Sequence, residues 1–248
     1  MTSDHQIFEN NYLSVREKEQ RVYTDSQIKK LPYIAPNLEQ KGEWILRTKT
    51  TNRFLNYIQK QDFKHVLDLG CGNGWFTHLI AKALPNTSVL GGDINQMELD
   101  QATRCFSNAN LNFQFIDVFD FEPDQQFDLI TINAAIQYFP SVAQLLTKVQ
   151  SLLTEHGEFH VLDSPVYNDA NKAEEARQRS IAYYSKMGVP ELSNSYHHHT
   201  WQDFSTFDVL YQPSKNKLVR KIKNDSPFPW LRFTMAINNW AESDRTKI

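Results

Sequence analysis

Val66-Leu67-Asp68-Leu69-Gly70-Cys71-Gly72-Asn73-Gly74 is the stretch whose reading decides the fold. A short apolar run holds one acid, and three glycines then alternate with other residues. Behind it, residues 75–84 place Phe76, Leu79, Ile80 and Ala83 at helical spacing. The stretch reads as strand, glycine turn, helix. Glycine has no Cβ and tolerates positive φ, so a ligand can approach bare backbone here. The helix N-terminus offers unpaired N–H groups to an anionic group. The spacing is Gly-x-Gly-x-Gly, not the Gly-x-Gly-x-x-Gly of a dinucleotide fingerprint. Asp68, two residues before the first glycine, repels a pyrophosphate and attracts an ammonium. A ligand with a carboxylate, an ammonium and a nucleoside satisfies each feature. A dinucleotide site, or a turn without any ligand, are the other readings of the same residues.

Strands and helices alternate on either side. Residues 37–40 read as a capping box opening a helix to about Gln59, with Trp44, Leu55 and Ile58 buried. Ser88–Asp93 is a strand ending in an acid, and residues 95–98 are a second capping box opening a helix to about Phe106. Residues 112–116 alternate as a strand followed by Asp117. Phe127–Asn133 is a near-continuous apolar run, as in a strand buried on both faces. Residues 141–144 cap a helix that turns Val142, Leu145, Leu146, Val149 and Leu152 inward, with Gly157 closing it and 158–163 as the fifth strand. This order predicts a parallel, doubly wound α/β sheet. Farther on, residues 171–174 cap a helix with an inner stripe of Ala173, Ala176, Ser180, Tyr184 and Met187, ended by Gly188 and Pro190. Strands follow at 207–211 and 230–237, and residues 215–223 read as a further strand or a loop.

With these motifs the chain resembles the class I S-adenosylmethionine (SAM)-dependent methyltransferases, whose first motif reads much like VLDLGCGNG. The resemblance covers roughly residues 40–165. It implies a doubly wound, mostly parallel seven-stranded sheet with an antiparallel C-terminal edge hairpin, preceded by an N-terminal helical extension. Residues 1–36 are then the extension, a possible lid, and 37–248 the methyltransferase domain. The blocks around 162–167, 196–201 and 226–230 resemble a bacterial subgroup of this family.

Ligands of open α/β sheets bind beyond the carboxyl ends of the strands at the switch point. That rule gathers the expected cofactor residues. Asp68 and the backbone of Gly70, Cys71, Gly72 and Gly74 are expected at the methionine end. Asp93 is expected to accept from the ribose hydroxyls, with Ile94 against the adenine or ribose. Asp117 is expected at the adenine amino group with Val118 and Phe119 beside the ring, and the Asn133 carbonyl at the ammonium. Taken singly, Asp93 is equally a helix-start acid and Asp117 a turn former.

The chain has 248 residues, 40% hydrophobic and 22% charged, which suits one ordinary domain with a modest extension. A net charge of -3 gives no reason to expect nucleic acid or an anionic membrane. The local run Lys215, Lys217, Arg220, Lys221 and Lys223 reads as a solvated strand or loop, or as the edge of a site for an anion. Cys71 and Cys105 form no disulfide framework and fit a reducing, cytoplasmic setting. The first residues lack the apolar core of a signal peptide, and no apolar stretch approaches the ~20 residues that span a bilayer.

The sulfonium of SAM already activates its methyl group, so the chain must align a nucleophile and exclude water. A base is needed only when the nucleophile is protonated. The candidates are His197, His198, His199, Tyr138 and Tyr184. No metal is expected of the triple histidine, since adjacent residues rarely aim at one ion. A general base or a structural loop with one buried imidazole are its two readings. Residues 133–138 lack the Pro-Pro-Tyr-like motif of methyltransferases acting on base or amide nitrogens, and the paired glutamates of a protein-arginine methyltransferase are not recognisable. A small-molecule acceptor is therefore expected. Residues 163–201, with Tyr167, Tyr183, Tyr184 and Tyr196, are expected to wall it, as suits a ring or a conjugated acid. Tyr12, Tyr23 and Tyr33 of the extension need a surface to cover, and Arg16 and Arg21 are expected to stay available for an acidic group. A packing arm or a dimer contact is the other reading of that segment. Two further functions fit the same motifs: a protein or RNA methyltransferase docking through the basic run, and a binding protein without activity.

Overall fold

The computed structural model describes residues 3–235. Strand β1 (His65–Leu69) alternates its side chains between two apolar layers, with Val66 in one and Leu67 and Leu69 in the other. It pairs in parallel with β2 (Ser88–Asp93) on one side and β4 (Phe127–Asn133) on the other. With β3 (Leu111–Phe115), β5 (Leu153–Leu162), β6 (Asp208–Tyr211) and β7 (Trp230–Thr234) they form a seven-stranded sheet of order β3-β2-β1-β4-β5-β7-β6. The first five strands are parallel, and β7 runs antiparallel between β5 and β6. This is the sheet expected from the sequence, hairpin edge included.

Helices cover both faces. On one face α3 (Lys41–Ile58) and α4 (Trp75–Ala83) bury Trp44, Phe54, Ile58, Phe76 and Ile80 against Val66, Val89 and Leu129, with Ile28 of α2 (Asp25–Ile28) beside them. On the other, α6 (Val142–Leu152) buries Val142, Leu145, Val149 and Leu152 against Leu67, Ile130 and Phe159. Each fully buried side chain of this size contributes ~1.5–3 kcal/mol. α5 (Gln96–Cys105) follows β2, capped by the Asn95 side chain, which accepts from the Glu98 N–H at 3.0 Å. The remaining helices are α1 (Ser3–Lys18), α7 (Ala170–Lys186) and α8 (Lys217–Lys223).

Several local expectations are corrected. α3 starts at Lys41, not at 37, because the Asn37 side chain accepts from the Gln40 N–H and closes a turn ahead of the helix. Gln40 does not reach back; it accepts from the Tyr23 hydroxyl at 2.5 Å and donates to the carbonyls of Glu19 and Gln20. Gly157 does not close α6. β5 begins directly after the helix, and Gly157 lies inside it beside the register shift against Phe127 and Leu129, where a Cβ would come within 2.9 Å of Leu153 and 3.0 Å of the Phe127 carbonyl. α7 is capped by Asp169, not from residue 171. Residues 217–223 form α8, neither strand nor loop. Leu55 and Leu146 are half-buried, and residues 236–237 of the expected last strand lie outside the described residues.

A buried polar chain ties β7 to β5 under α3. The Trp230 indole N–H donates to His160 Nδ1 at 2.8 Å, which leaves the imidazole proton on Nε2, 2.9 Å from Glu158. Tyr57 of α3 donates to the same carboxylate. Burial lowers the pKa of His160, which is 0% exposed. Its neutral form belongs to the folded state, so its contribution is complete above the unfolded value of about 6.5 and is lost as pH falls below it. We expect His160→Gln to cost about 1–3 kcal/mol at pH 7.5. Thermal melts of both proteins at pH 7.5 and 5.5 should show the wild type losing more on acidification than the variant.

Candidate active site

The glycine turn sits where the strand order reverses, between β1 and β4. The N–H groups of Gly70 and Cys71 donate to the Gly92 carbonyl, so the turn is laced to β2. Gly74 precedes α4 with φ 77°, and a Cβ there would meet Phe113 at 2.6 Å and Ala102 at 2.7 Å. Its role is packing. Gly72, at φ 52°, has only the flexible end of Glu98 within reach of a Cβ, so its backbone faces open space.

Asp68 lies beneath the turn, 1% exposed. Its carboxylate accepts from the hydroxyls of Thr77 on α4 (2.6 Å) and Thr131 on β4 (2.7 Å). Burial raises its pKa to about 6, and the two hydroxyl donors pull the other way. At the end of β2 the Asp93 carboxylate accepts from the N–H groups of Gly72 and Asn95, both at 2.8 Å, and burial raises it. Glu98 is pushed up to about 7 by burial first and then by the charge of Asp93. Asp117 accepts from the Phe119 N–H at 3.1 Å. Burial pushes the Cys71 thiol up, so Cys71 is no nucleophile.

A cavity of ≈ 1140 Å³ opens over these groups. All of the expected cofactor residues line it except Gly74. Four buried oxygens in its wall have no partner: Asn73 Oδ1, Asn133 Oδ1, Gln137 Oε1 and Asp163 Oδ2. Buried acceptors without donors carry a cost that a cationic or N–H-bearing ligand removes. Ala134 (φ 55°) and Asp163 (φ 46°), just past the ends of β4 and β5, are both left-handed without being glycine, a strain that clusters at functional sites.

Of the catalytic candidates, Tyr138, Tyr184 and His198 line the cavity, whereas His197 and His199 do not. His199 is buried with Nε2 3.2 Å from the Ile136 carbonyl, and the His197 backbone N–H donates to the Gln137 carbonyl. His198 Nε2 lies 3.0 Å from Ser180 Oγ, and its buried Nδ1 has no partner. Burial lowers its pKa and raises those of Tyr138 and Tyr184, so at neutral pH the imidazole is uncharged and both phenols keep their protons. Tyr167, Tyr183, Tyr184 and Tyr196 all line the same cavity.

α1 closes its roof. Val15 packs with Tyr184, Val189 and Leu192, Lys18 donates to the Met187 carbonyl, and Glu9 accepts from the Met97 N–H at 3.2 Å in the first turn of α5. Tyr12 and Tyr23 line the cavity, but Tyr33 is 57% exposed and stands outside it. Arg21 is not available for an acidic ligand, because Glu43 holds it at 3.0 and 2.5 Å. Asp163 and Ser180 fall within the expected wall of residues 163–201, whereas sequence reasoning did not reach Arg47, which is brought to the site by tertiary packing and carries no local motif.

Residues 60–222 match the family described as "Methyltransferase domain". The chain belongs to that family. Among curated relatives, a trans-aconitate 2-methyltransferase of Enterobacter sp. (strain 638) is 32% identical over 144 residues, 58% of this chain and 54% of that protein. The chain spans about half the length, or less, of the curated relatives it matches. Two solved structures share the fold. A plantazolicin methyltransferase in complex with a pentazolic desmethylPZN analog and SAH is 17% identical, covering 88% of this chain and 97% of that one, with TM-score 0.50. A magnesium protoporphyrin IX methyltransferase of Synechocystis PCC 6803 with bound SAH is 14% identical, covering 81% and 88%, with TM-score 0.52. SAM is the cofactor of this family. The residues fit it: strand-end acids face a polyhydroxylated, cationic molecule, and four unpaired acceptors lie in the same wall.

The cost of the buried acid can be measured. Because its folded pKa is raised, Asp68 destabilises the fold as pH rises from about 4 to 6, and the cost is complete above that. Asp68→Asn removes the charge, keeping one threonine as donor while the other hydroxyl turns to accept from the amide NH2. We expect it to raise cofactor-free stability at pH 8 by ~1–3 kcal/mol while weakening SAM about tenfold or more. Denaturant titration and calorimetry on the same samples test both halves.

Proposed function

We propose that this chain is a SAM-dependent methyltransferase acting on an oxygen, nitrogen or carbon of a small molecule. The observation that carries this reading is one cavity with two linings. Strand-end carboxylates and unpaired acceptors surround the glycine turn, while tyrosines of α7 and the 196–199 segment form the opposite wall. SAM, when bound there, supplies a methyl group on a sulfonium. Asp93 accepts from the ribose, and Asp117 with Val118 borders the adenine. Asp68 and the Asn133 carbonyl oppose the ammonium. The tyrosine wall and α1 exclude water from the reacting atoms. Where the nucleophile carries a proton, His198 accepts it, because its imidazole is neutral and its Nδ1 is unpaired.

A small acceptor is favoured because α1 lies over part of the cavity, with Phe8, Tyr12, Val15 and Arg16 in its wall, and because the Enterobacter relative's name makes trans-aconitate its acceptor. Two free cysteines and a net charge of -3 support a cytoplasmic enzyme without a nucleic-acid or membrane partner. No helix among the described residues is long and apolar enough to cross a membrane.

Calorimetry with SAM, SAH and NAD tests the cofactor half. SAM and SAH should bind and NAD should not, and Asp93→Ala should lose about tenfold or more in SAM affinity, ~1.4 kcal/mol per tenfold. NAD binding more tightly than SAM would overturn the reading. A screen of metabolite extracts with labelled methyl then identifies the acceptor. We also infer that α1 is a lid. Hydrogen exchange across residues 10–36 should slow when SAH is added, and equal protection in both states would exclude a lid.

A further inference from the structure

Four arginines reach the cavity wall, and they are not equivalent. Arg21 and Arg47 share the carboxylate of Glu43, at 3.0 and 2.9 Å respectively. Arg179 is exposed on α7. Arg16, projecting from α1, is the one left unsatisfied: its Nε is buried without a partner, and its nearest carboxylate, Glu19, lies 3.8 Å away, beyond hydrogen-bonding reach. Its guanidinium carbon sits 5.1 Å over the Tyr12 ring centroid. A guanidinium fork presents parallel N–H groups that match a carboxylate, and here the buried Nε–H has no acceptor while the rest of the side chain is 31% exposed toward the cavity.

The neighbours define what such a ligand looks like. Tyr12 meets Tyr138 edge to face at 5.9 Å, and Tyr138 meets Tyr196 at 5.8 Å. Tyr196 in turn lies 5.2 Å from the His198 ring. A row of tyrosines therefore leads from the arginine to the imidazole. Burial keeps the hydroxyls of Tyr12, Tyr138 and Tyr196 protonated, so each can donate to an anion. The charges around Arg16 are Glu19 just past its helix, Glu98 on α5 and the Glu43-paired Arg21, and the two carboxylates oppose a dianion such as phosphate more than a single carboxylate. Successive rings of the row stand nearly perpendicular, at 81° and 88°, and suit a planar, conjugated body that meets them edge to face.

We propose that the methyl acceptor carries a carboxylate on a planar body, seated on Arg16 with the body along Tyr12, Tyr138 and Tyr196. This rests on the methyltransferase reading above. The cofactor's own carboxylate is expected elsewhere, at the backbone N–H groups of the glycine turn and the start of α4.

The test uses the full chain saturated with SAH. Benzoate and trans-cinnamate are titrated against their carboxamides, benzamide and cinnamamide, by ligand-observed NMR, with wild type, Arg16→Lys and Arg16→Met. The acids should bind wild type at least tenfold more tightly than the amides. Arg16→Met should erase that difference, Arg16→Lys should restore part of it, and SAH affinity and melting temperature should stay within error of wild type. Acids and amides binding alike, or no acid binding at all, overturns the proposal. So does a loss of SAH affinity in Arg16→Met with the acid–amide difference intact, which would assign Arg16 to the cofactor. Failure of the methyltransferase reading is seen separately, as wild type not binding SAH before any acid is added.

Discussion

A carboxylate held in the interior by two threonine hydroxyls is the contact on which this molecule turns. Asp68 belongs to β1, Thr77 to α4 and Thr131 to β4. The three elements meet where the sheet reverses direction, so one side chain fixes the strand before the glycine turn, the helix after it and the strand next door. Taking a carboxylate out of water is unfavourable, and the raised pKa of Asp68 measures that cost. The surrounding core supplies the difference: Phe54, Ile80, Leu129 and Ile132 are fully buried around the same strands. The outcome is a fixed negative charge directly under bare backbone. In the proposed function that charge serves a cationic ligand, which an apolar residue at that position, costing no desolvation, would not.

How much was legible in the sequence depended on how far each partner lay along the chain. The caps of Asn95 and Ser141 were readable because donor and acceptor sit within three residues. The same logic failed at Asn37 and Gln40. There the glutamine finds a tyrosine 17 positions away, and the long-range hydrogen bond wins over the local one. Gly157 looked like a helix stop, but its reason is the bulge between β4 and β5, which only the pairing reveals. The basic run 215–223 has no strong period, and propensity alone did not separate helix from strand there.

The site followed the same rule. Residues at strand ends could be assigned because the switch-point rule converts strand order into location. Direction within a loop could not. Of three consecutive histidines, the backbone turns one toward the cavity, one onto the Ile136 carbonyl and one away. The left-handed backbone at Ala134 has no signature either, since alanine does not ask for it, and at Asp163 the residue type tolerates it without calling for it.

α1 explains why the extension is polar although it packs on a folded domain. Its residues Glu9, Tyr12 and Arg16 fall at i, i+3 and i+7, hence on one helical face. Glu9 meets the first turn of α5 beside Asp93 and Glu98, while Arg16 stands beyond Tyr12 against the tyrosine wall. One face thus spans the cavity from its acidic end to its cationic end. Val15 and, half-buried, Phe8 reach an apolar cluster with Tyr184, Val189 and Leu192. An apolar stripe would have sealed the helix down as core. A polar one held by few apolar contacts suits the lid proposed above, an element that can leave the sheet and close again when both ends of the cavity are filled.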